Sequence, residues 1–328
     1  MPRYIMKRIL YIVFVFFIVS IIMFLIYKAV PGDPVAVAIQ DQARTLKPDA
    51  YQRVYNAMAH KLGMDKPAYL QYFVWIKNML TGDFGYSTFF RQDVRYIIGT
   101  PLWNTVKLNL YSMFFVFLIT IPLGIATAVR RNSLFDKSVQ IFTILGYSLP
   151  SFVIAFIFIF IFCIKLEWFP LTGISTVGAD FSGFAAFKDQ FMHAVIPTAV
   201  MTFTALGGLT RYVRASMCDV LTQDYIRTAR AKGLKESSVI YVHAFRNALI
   251  PVITIMASWL IGVFGGSVVI ESIFQWNGIG YLLYNSLMRQ DFNVVLTMQM
   301  FYVVLSLAGN LIVDLVYAAV DPRVRLDA

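Results

Sequence analysis

Apolar positions along the chain gather into six long runs, 9–27, 108–129, 139–164, 194–212, 248–270 and 294–320. Each is close to the roughly 20 residues that a helix needs to cross a bilayer. Thr202, Thr204, Gly207 and Gly208 dilute the fourth run. The pattern predicts an all-α, polytopic membrane protein with six transmembrane helices. Between the first two runs the chain is polar enough to fold outside the membrane. There Tyr51, Val54, Tyr55, Met58 and Leu62 recur at helical spacing after Pro48 and stop at Gly63, and Leu70, Phe73, Val74 and Leu80 run from Pro67 to Gly82. This predicts two short amphipathic helices that cap the outer ends of the spans.

Composition agrees with the pattern. Hydrophobic residues make up 59% of the 328 positions and charged ones 14%, which excludes an ordinary soluble domain. Arg3, Lys7 and Arg8 precede the first run, which is too long for a signal-peptide core and has no small-residue cleavage site after it. It reads as a retained anchor. Lys and Arg bias orientation, and with both termini inside, the inner segments hold 15 of them against three in the short outer loops. Both termini are therefore expected in the cytoplasm. The organisation is a cytoplasmic N-terminus and first span (1–28), an extracellular helical segment (29–101), a five-helix core (102–320) with a cytoplasmic loop at 213–247, and a cytoplasmic tail (321–328).

Candidate chemistry is sparse. Cys163 and Cys218 fall on opposite sides of the bilayer and cannot pair. His60, His193 and His243 are scattered, so no metal site is expected. No G-x-x-x-x-G-K-[ST] occurs, and no nucleophile lies beside a base. An ion-coupled carrier would need ionisable residues deep in its spans, and only Lys107, at a boundary, and Asp314, near the inner surface, qualify.

One hydrophilic stretch, "YIRTARAKGLKES" from Tyr225, carries four basic side chains and one acid. Asp224 is a good N-cap, 225–232 gives about two helical turns, and Gly233 suits the left-handed position that ends a helix. A second helix starts at Ser237 or Ser238 and leads into the fifth run, where Pro251 is expected to kink the entry. A helix this short is marginal in water, so something must pack against it. Nucleic acid is a poor partner for a stub with one aromatic and no groove-reading fold. Acidic lipid and a docking protein both remain open on chemistry alone.

The same stretch resembles the cytoplasmic coupling loop of ABC-importer permeases, in the "RTARAKGL" form found in the oligopeptide and dipeptide branch. "PGDP" at Pro31, "GDFGYS" at Gly82, "SLPSF" at Ser148, "IFQWNGIG" at Ile273 and "DPRVR" at Asp321 extend the likeness over nearly the whole chain, with Asn277 where proline is common. The chain thus resembles a B-type permease subunit of a peptide ABC importer in a bacterial inner membrane. The resemblance implies a non-catalytic subunit that pairs with a C-type permease, two ATPase subunits and an extracellular or periplasmic binding protein. It also implies that ATP and Mg are bound by those ATPases and that this chain holds no cofactor. Tyr225, Arg227, Thr228, Ala229, Arg230, Lys232 and Gly233 would form the coupling helix, with Ala229 and Ala231 allowing close approach to an ATPase cleft. Relatives in the family carry nickel or glutathione, so those cargoes stand as alternatives to peptides; an ion-coupled secondary transporter is the alternative outside it.

Two further sets complete the expectations. After the fifth run, Gly278 and Gly280 allow positive φ and Trp276 suits a membrane interface. With Ile279 they predict an outer gate that dips toward the pathway. Thr202, Thr204, Gly207 and Gly208 with Gly262, Gly265 and Gly266 either pack helices closely or line the route.

Overall fold

A helix satisfies its backbone within one apolar segment, and helix is what this chain uses. The computed structural model describes residues 2–29, 33, 35–36, 39, 46–61 and 64–320. Gly63, most of "PGDP" and the tail with "DPRVR" lie outside the described residues. In chain order the helices are α1 (Pro2–Ala29), α2 (Pro48–Lys61), α3 (Ala68–Thr81), α4 (Val94–Val129), α5 (Leu134–Ser148), α6 (Ser151–Phe158), α7 (Gly183–Leu221), α8 (Asp224–Ala231), α9 (Glu236–Ser238), α10 (Phe245–Gly262), α11 (Val268–Ile273), α12 (Ile279–Met288) and α13 (Phe292–Val320). The turns Ile159–Lys165 after α6 and Val239–Ala244 before α10 are wound as π-helix.

Four helices, α1, α4, α7 and α13, contain stretches long and apolar enough to cross a membrane. Six crossings result if each of two bent pairs counts as one. The third run, expected as one helix, is one of these pairs: Leu134–Ser148 and Ser151–Lys165 meet at 106°. Pro150 is the cause. Leu149 before it is extended, as a residue ahead of proline prefers, and Pro150, itself extended at ψ 137°, is the N-cap of the next helix. The fifth run bends by 42° between Glu236–Ile253 and Ile255–Gly262, just beyond Pro251. The fourth run, diluted in sequence, is one unbroken helix.

The chain divides into two compact units. The first contains 1–101 and 282–308. Here α3 runs beside the C-terminal part of α1: Tyr72 meets Ser20 through their hydroxyls at 2.8 Å and its ring meets Phe24 edge-on. Ser20 lies nine residues before Ala29, about 14 Å along a helix, so α3 covers the flank of α1 as well as its end. Gly82, at φ 81°, ends α3 as expected. The "GDFGYS" loop then folds onto the start of α13, where Ser87 bonds buried Asp291 just ahead of the helix and Asn293 in its first turn donates to the Tyr86 carbonyl at 2.8 Å.

The second unit, 102–281 and 309–328, is organised around α7. Apolar burial gives little drive between helices in lipid, so close approach depends on small residues. A Cβ at Gly207 would collide with the carbonyl oxygen of Thr143, one at Gly146 would lie 2.5 Å from that of Phe203, and one at Gly124 would lie 2.7 Å from Val213. Gly207, one of the two glycines that weaken the apolar signal of α7, is thus part of what seats it against α5, with Gly146 of α5 and Gly124 of α4 closing the other approaches.

Gly207→Ala is expected to destabilise the protein by about 1–3 kcal/mol through overpacking, read as a lower thermal midpoint in detergent. Gly208→Ala, whose Cβ would meet nothing within 4 Å, is expected to hold or raise the midpoint, since Ala favours helix over Gly by about 1 kcal/mol. Equal midpoints for the two variants would contradict this crossing.

Candidate functional site

Helix α8 is held by its own chain. Ile226 and Ala229, three residues apart on one face, are buried against Val239, Ile240 and Ala244 and the end of α7. That contact supplies the packing which a two-turn helix lacks alone. Gly233 stands at φ 72°; its N–H bonds the Arg230 carbonyl and the N–H of Leu234 bonds that of Ala229. This is a complete left-handed termination, at the residue the sequence indicated. Arg230 then pairs with Glu236 at 2.7 Å, strapping the exit of α8 to the start of α9. The N-terminal expectation is corrected: Gln223 is the N-cap and Asp224 the first helical residue, with no side-chain cap bond. Ala229 is corrected too. It faces inward, and the surface left open includes Tyr225, Arg227, Thr228, Ala231 and Lys232, beside Asp224 and the Arg230 that pairs with Glu236.

The turn around 271–281 is built on a carboxylate. Glu271 is 1% exposed and accepts the Thr105 hydroxyl at 2.8 Å and the N–H groups of Tyr281 at 3.0 Å and Ser267 at 3.3 Å. Gly280 N–H also reaches it, and Thr105 Oγ1 accepts Ile279 N–H at 2.8 Å. The first N–H groups of α12, which no helical carbonyl can satisfy, are thereby taken by Thr105 and Glu271. Burial pushes the Glu271 carboxyl above its ordinary range, while the bonds from Tyr281, Thr105, Gly280 and Ser267 pull it back.

The glycines of this turn serve in a different way from that expected. Neither Gly278 nor Gly280 has positive φ; the left-handed residue is Gln275, at φ 49°, which terminates α11. What Gly278 and Gly280 supply is space. A Cβ at Gly278 would lie 2.5 Å from both Glu271 and Thr105, and one at Gly280 would lie 2.7 Å from the backbone of Ser267 and Val268. Gly266 meets Gly280 in the same backbone contact. Trp276 is corrected as well: it is 1% exposed, far from an interfacial anchor, and its Nε1 donates to the Asn104 carbonyl at 3.0 Å. Ile279 is fully buried beside it. The Asn277 carbonyl accepts from Asn104 Nδ2 at 2.9 Å.

Beside this turn, α4, α6, α7, α10 and the link into α11 line an open cavity of about 380 Å³. Its polar wall is Asn109, Ser112, Ser151, Thr204, Ser258 and Ser267, with Met113, Met201 and Trp259 among the apolar residues. Thr204 and Gly262 of the sequence-derived pathway set line it. The others do not. Gly207 packs helices, Gly266 packs backbone, a Cβ on Gly265 would meet only the Gly262 carbonyl and one on Gly208 nothing within 4 Å, and Thr202 is buried with its hydroxyl unpartnered.

The family described as "Binding-protein-dependent transport system inner membrane component" matches residues 120–326, and its N-terminal companion matches 1–90. The oligopeptide transport system permease protein AppB of Bacillus subtilis is 39% identical over 99% of this chain and 100% of its own length. The glutathione transport system permease protein GsiC of Escherichia coli K12 is 35% identical over 99% of each. The chain belongs to the binding-protein-dependent permease family. Among solved structures, the MetNI methionine ABC transporter in an inward-facing form matches 67% of this chain and 96% of its own with a TM-score of 0.51 at 19% identity, a likeness of fold. The protein is accordingly an ABC-importer permease and a multi-pass inner-membrane protein.

Two buried carboxylates of the second unit escaped the sequence reading, which singled out only Lys107, at a membrane boundary, and Asp314, near the inner surface, among ionisable groups near the spans. Glu271 is one. Asp136 is the other: fully buried, it takes Arg214 in a two-bond pair, 2.7 Å each, and accepts from Asn132 N–H and Gln140. Its signal was present, since Ser133-x-x-Asp136 before an apolar run is a capping pattern and Ser133 Oγ does accept from Asp136 N–H. Glu271 had no such local sign.

Glu271→Gln keeps the shape but turns an amide NH2 toward backbone donors, and is expected to destabilise the turn by about 1–3 kcal/mol. Faster hydrogen exchange at Ile279, Gly280 and Tyr281 is the readout. Unchanged exchange there would show that the carboxylate is not what holds the turn.

Proposed function

We propose that this permease carries peptides, as one half of a heterodimer with a C-type permease, on a pathway loaded by an external binding protein. Two ATPase subunits supply the energy and hold ATP and Mg; this chain itself is non-catalytic, and both its termini are cytoplasmic. The exposed face of α8 carries the reading. A short helix braced from behind by Ile226 and Ala229, ended sharply at Gly233, and displaying Tyr225, Arg227, Thr228, Ala231 and Lys232 outward has the form of a rigid plug for a partner's cleft. Arg227 is free to bind an acidic or carbonyl-lined groove because its own contact with Asp224, at 3.5 Å, is weak and exposed. Movement of a seated α8 would pass to α7 and α10 through the buried contact that joins them.

The similarity to a glutathione permease favours a narrower version, in which the cargo is a short peptide or peptide conjugate. Peptide chemistry is common to both readings.

Replacing Ala231 by Glu alters the outward face alone, and Gly233→Val strains the left-handed exit by about 1 kcal/mol or more. With membrane insertion normal, both variants are expected to lose co-purifying ATPase or peptide-stimulated ATP hydrolysis. A segment that only touches lipid would tolerate both, since neither removes a positive charge, and wild-type behaviour in both would overturn the coupling assignment.

A further inference from the structure

The cavity beside the 271–281 turn has a chemical bias that the family assignment does not require. Among the described residues that line it, none is ionisable. Its polar side chains are five hydroxyls and one amide, from five different segments of the second unit, beside the indole N–H of Trp259. A hydroxyl both donates and accepts and rotates to suit its partner. Thr204 Oγ1 donates to the Met201 carbonyl at 2.9 Å, which leaves its oxygen able to accept. Ser267 Oγ accepts Ile270 N–H at 3.3 Å, which leaves its proton to give. Asn109 is fixed more strictly. Its Nδ2 donates to the carbonyls of both Val263 and Gly265, at 2.8 and 2.9 Å, so what it can offer a ligand is the acceptor Oδ1.

We infer that this cavity recognises the backbone of a passing peptide, through hydroxyls that can donate or accept and the Asn109 acceptor, and does not discriminate by side-chain charge. The inference rests on the reading that the permease carries peptides. A peptide backbone presents N–H and C=O groups whatever its side chains, and a wall of rotatable hydroxyls can match either. Met113 and Met201 add apolar surface that adapts to different side chains. Fixed charge is what such a wall must avoid. In a poorly screened pathway one carboxylate or ammonium would favour one sign of cargo by a large factor, so a neutral wall leaves selection by charge to the protein that delivers the cargo.

The test uses the complete transporter in proteoliposomes, with its binding protein saturated in turn with Ala-Ala-Ala, Ala-Lys-Ala or Ala-Glu-Ala, so that affinity for the binding protein drops out of the rate. Wild type is expected to move the lysine and glutamate peptides at rates within about threefold of each other. Thr204→Asp is expected to raise the lysine-to-glutamate ratio about tenfold over wild type, and Thr204→Asn, of equal size, to leave it unchanged. A wild-type ratio beyond tenfold in either direction overturns charge-blindness without reference to any variant. So does a correctly assembled Thr204→Asp complex whose ratio is that of wild type. ATP-dependent uptake of none of the three tripeptides by wild type would instead overturn the peptide reading itself.

Discussion

Backbone N–H groups at the start of a helix have no helical acceptor, and where water is scarce each must find another. Glu271 meets that constraint for the turn that leads into α12. By collecting Gly280, Tyr281 and Ser267 N–H groups and the Thr105 hydroxyl, it ties α4, the link before α11 and the start of α12 to one point. The contacts around it follow from that closure. Gly278 must lack a Cβ because Glu271 and Thr105 occupy its place, Gly266 because the backbone of Gly280 does, and Gly280 because that of Ser267 and Val268 does. Asn109 extends the same arrangement by holding the carbonyls at Val263 and Gly265, and so shapes one wall of the cavity.

At the start of α5 Ser133 Oγ takes the Asp136 N–H, and the Asp136 carboxylate takes the N–H of Asn132 ahead of the cap, with Arg214 of α7 as its counter-ion. The pair is charged, buried on the acid's side and bonded twice, a geometry in which removal of one partner costs far more than loss of a surface pair. It fixes α7 two turns ahead of Leu221, where that helix hands over to α8. Helix α8 therefore hangs from a part of α7 that is tied to α5 by Arg214, and rests on the π-wound turn Val239–Ala244 through Ile226 and Ala229.

How much of this could be read from the sequence varied with how local the physics was. Gly233 was legible because the end of a short polar helix has one inexpensive residue for a left-handed position, and it sits there at φ 72°. Gly278 and Gly280 misled because glycine has two uses, a free φ and a missing Cβ, and sequence does not say which applies. The positive φ belongs to Gln275. Continuous apolar residues hid the 106° break at Pro150, although the proline was in view. Glu271 was illegible for a different reason: its partners include Thr105, 166 positions away. The orientation of α8 fell between these cases. Its ends were predicted within a residue, yet which alanine faces outward depends on what lies behind the helix.

That last point offers the most direct test of coupling through α8. In a background with Cys163 and Cys218 replaced by Ser, single cysteines at Ala231 and Ala229 would be paired with a cysteine scanned along the ATPase subunit's facing surface. Position 231 is exposed and position 229 is buried in the chain's own core. The account predicts that 231 cross-links to the ATPase, with a yield that changes on ATP binding, and that 229 does not. Cross-linking from 229 with none from 231, or from neither in an assembled and active complex, would contradict it.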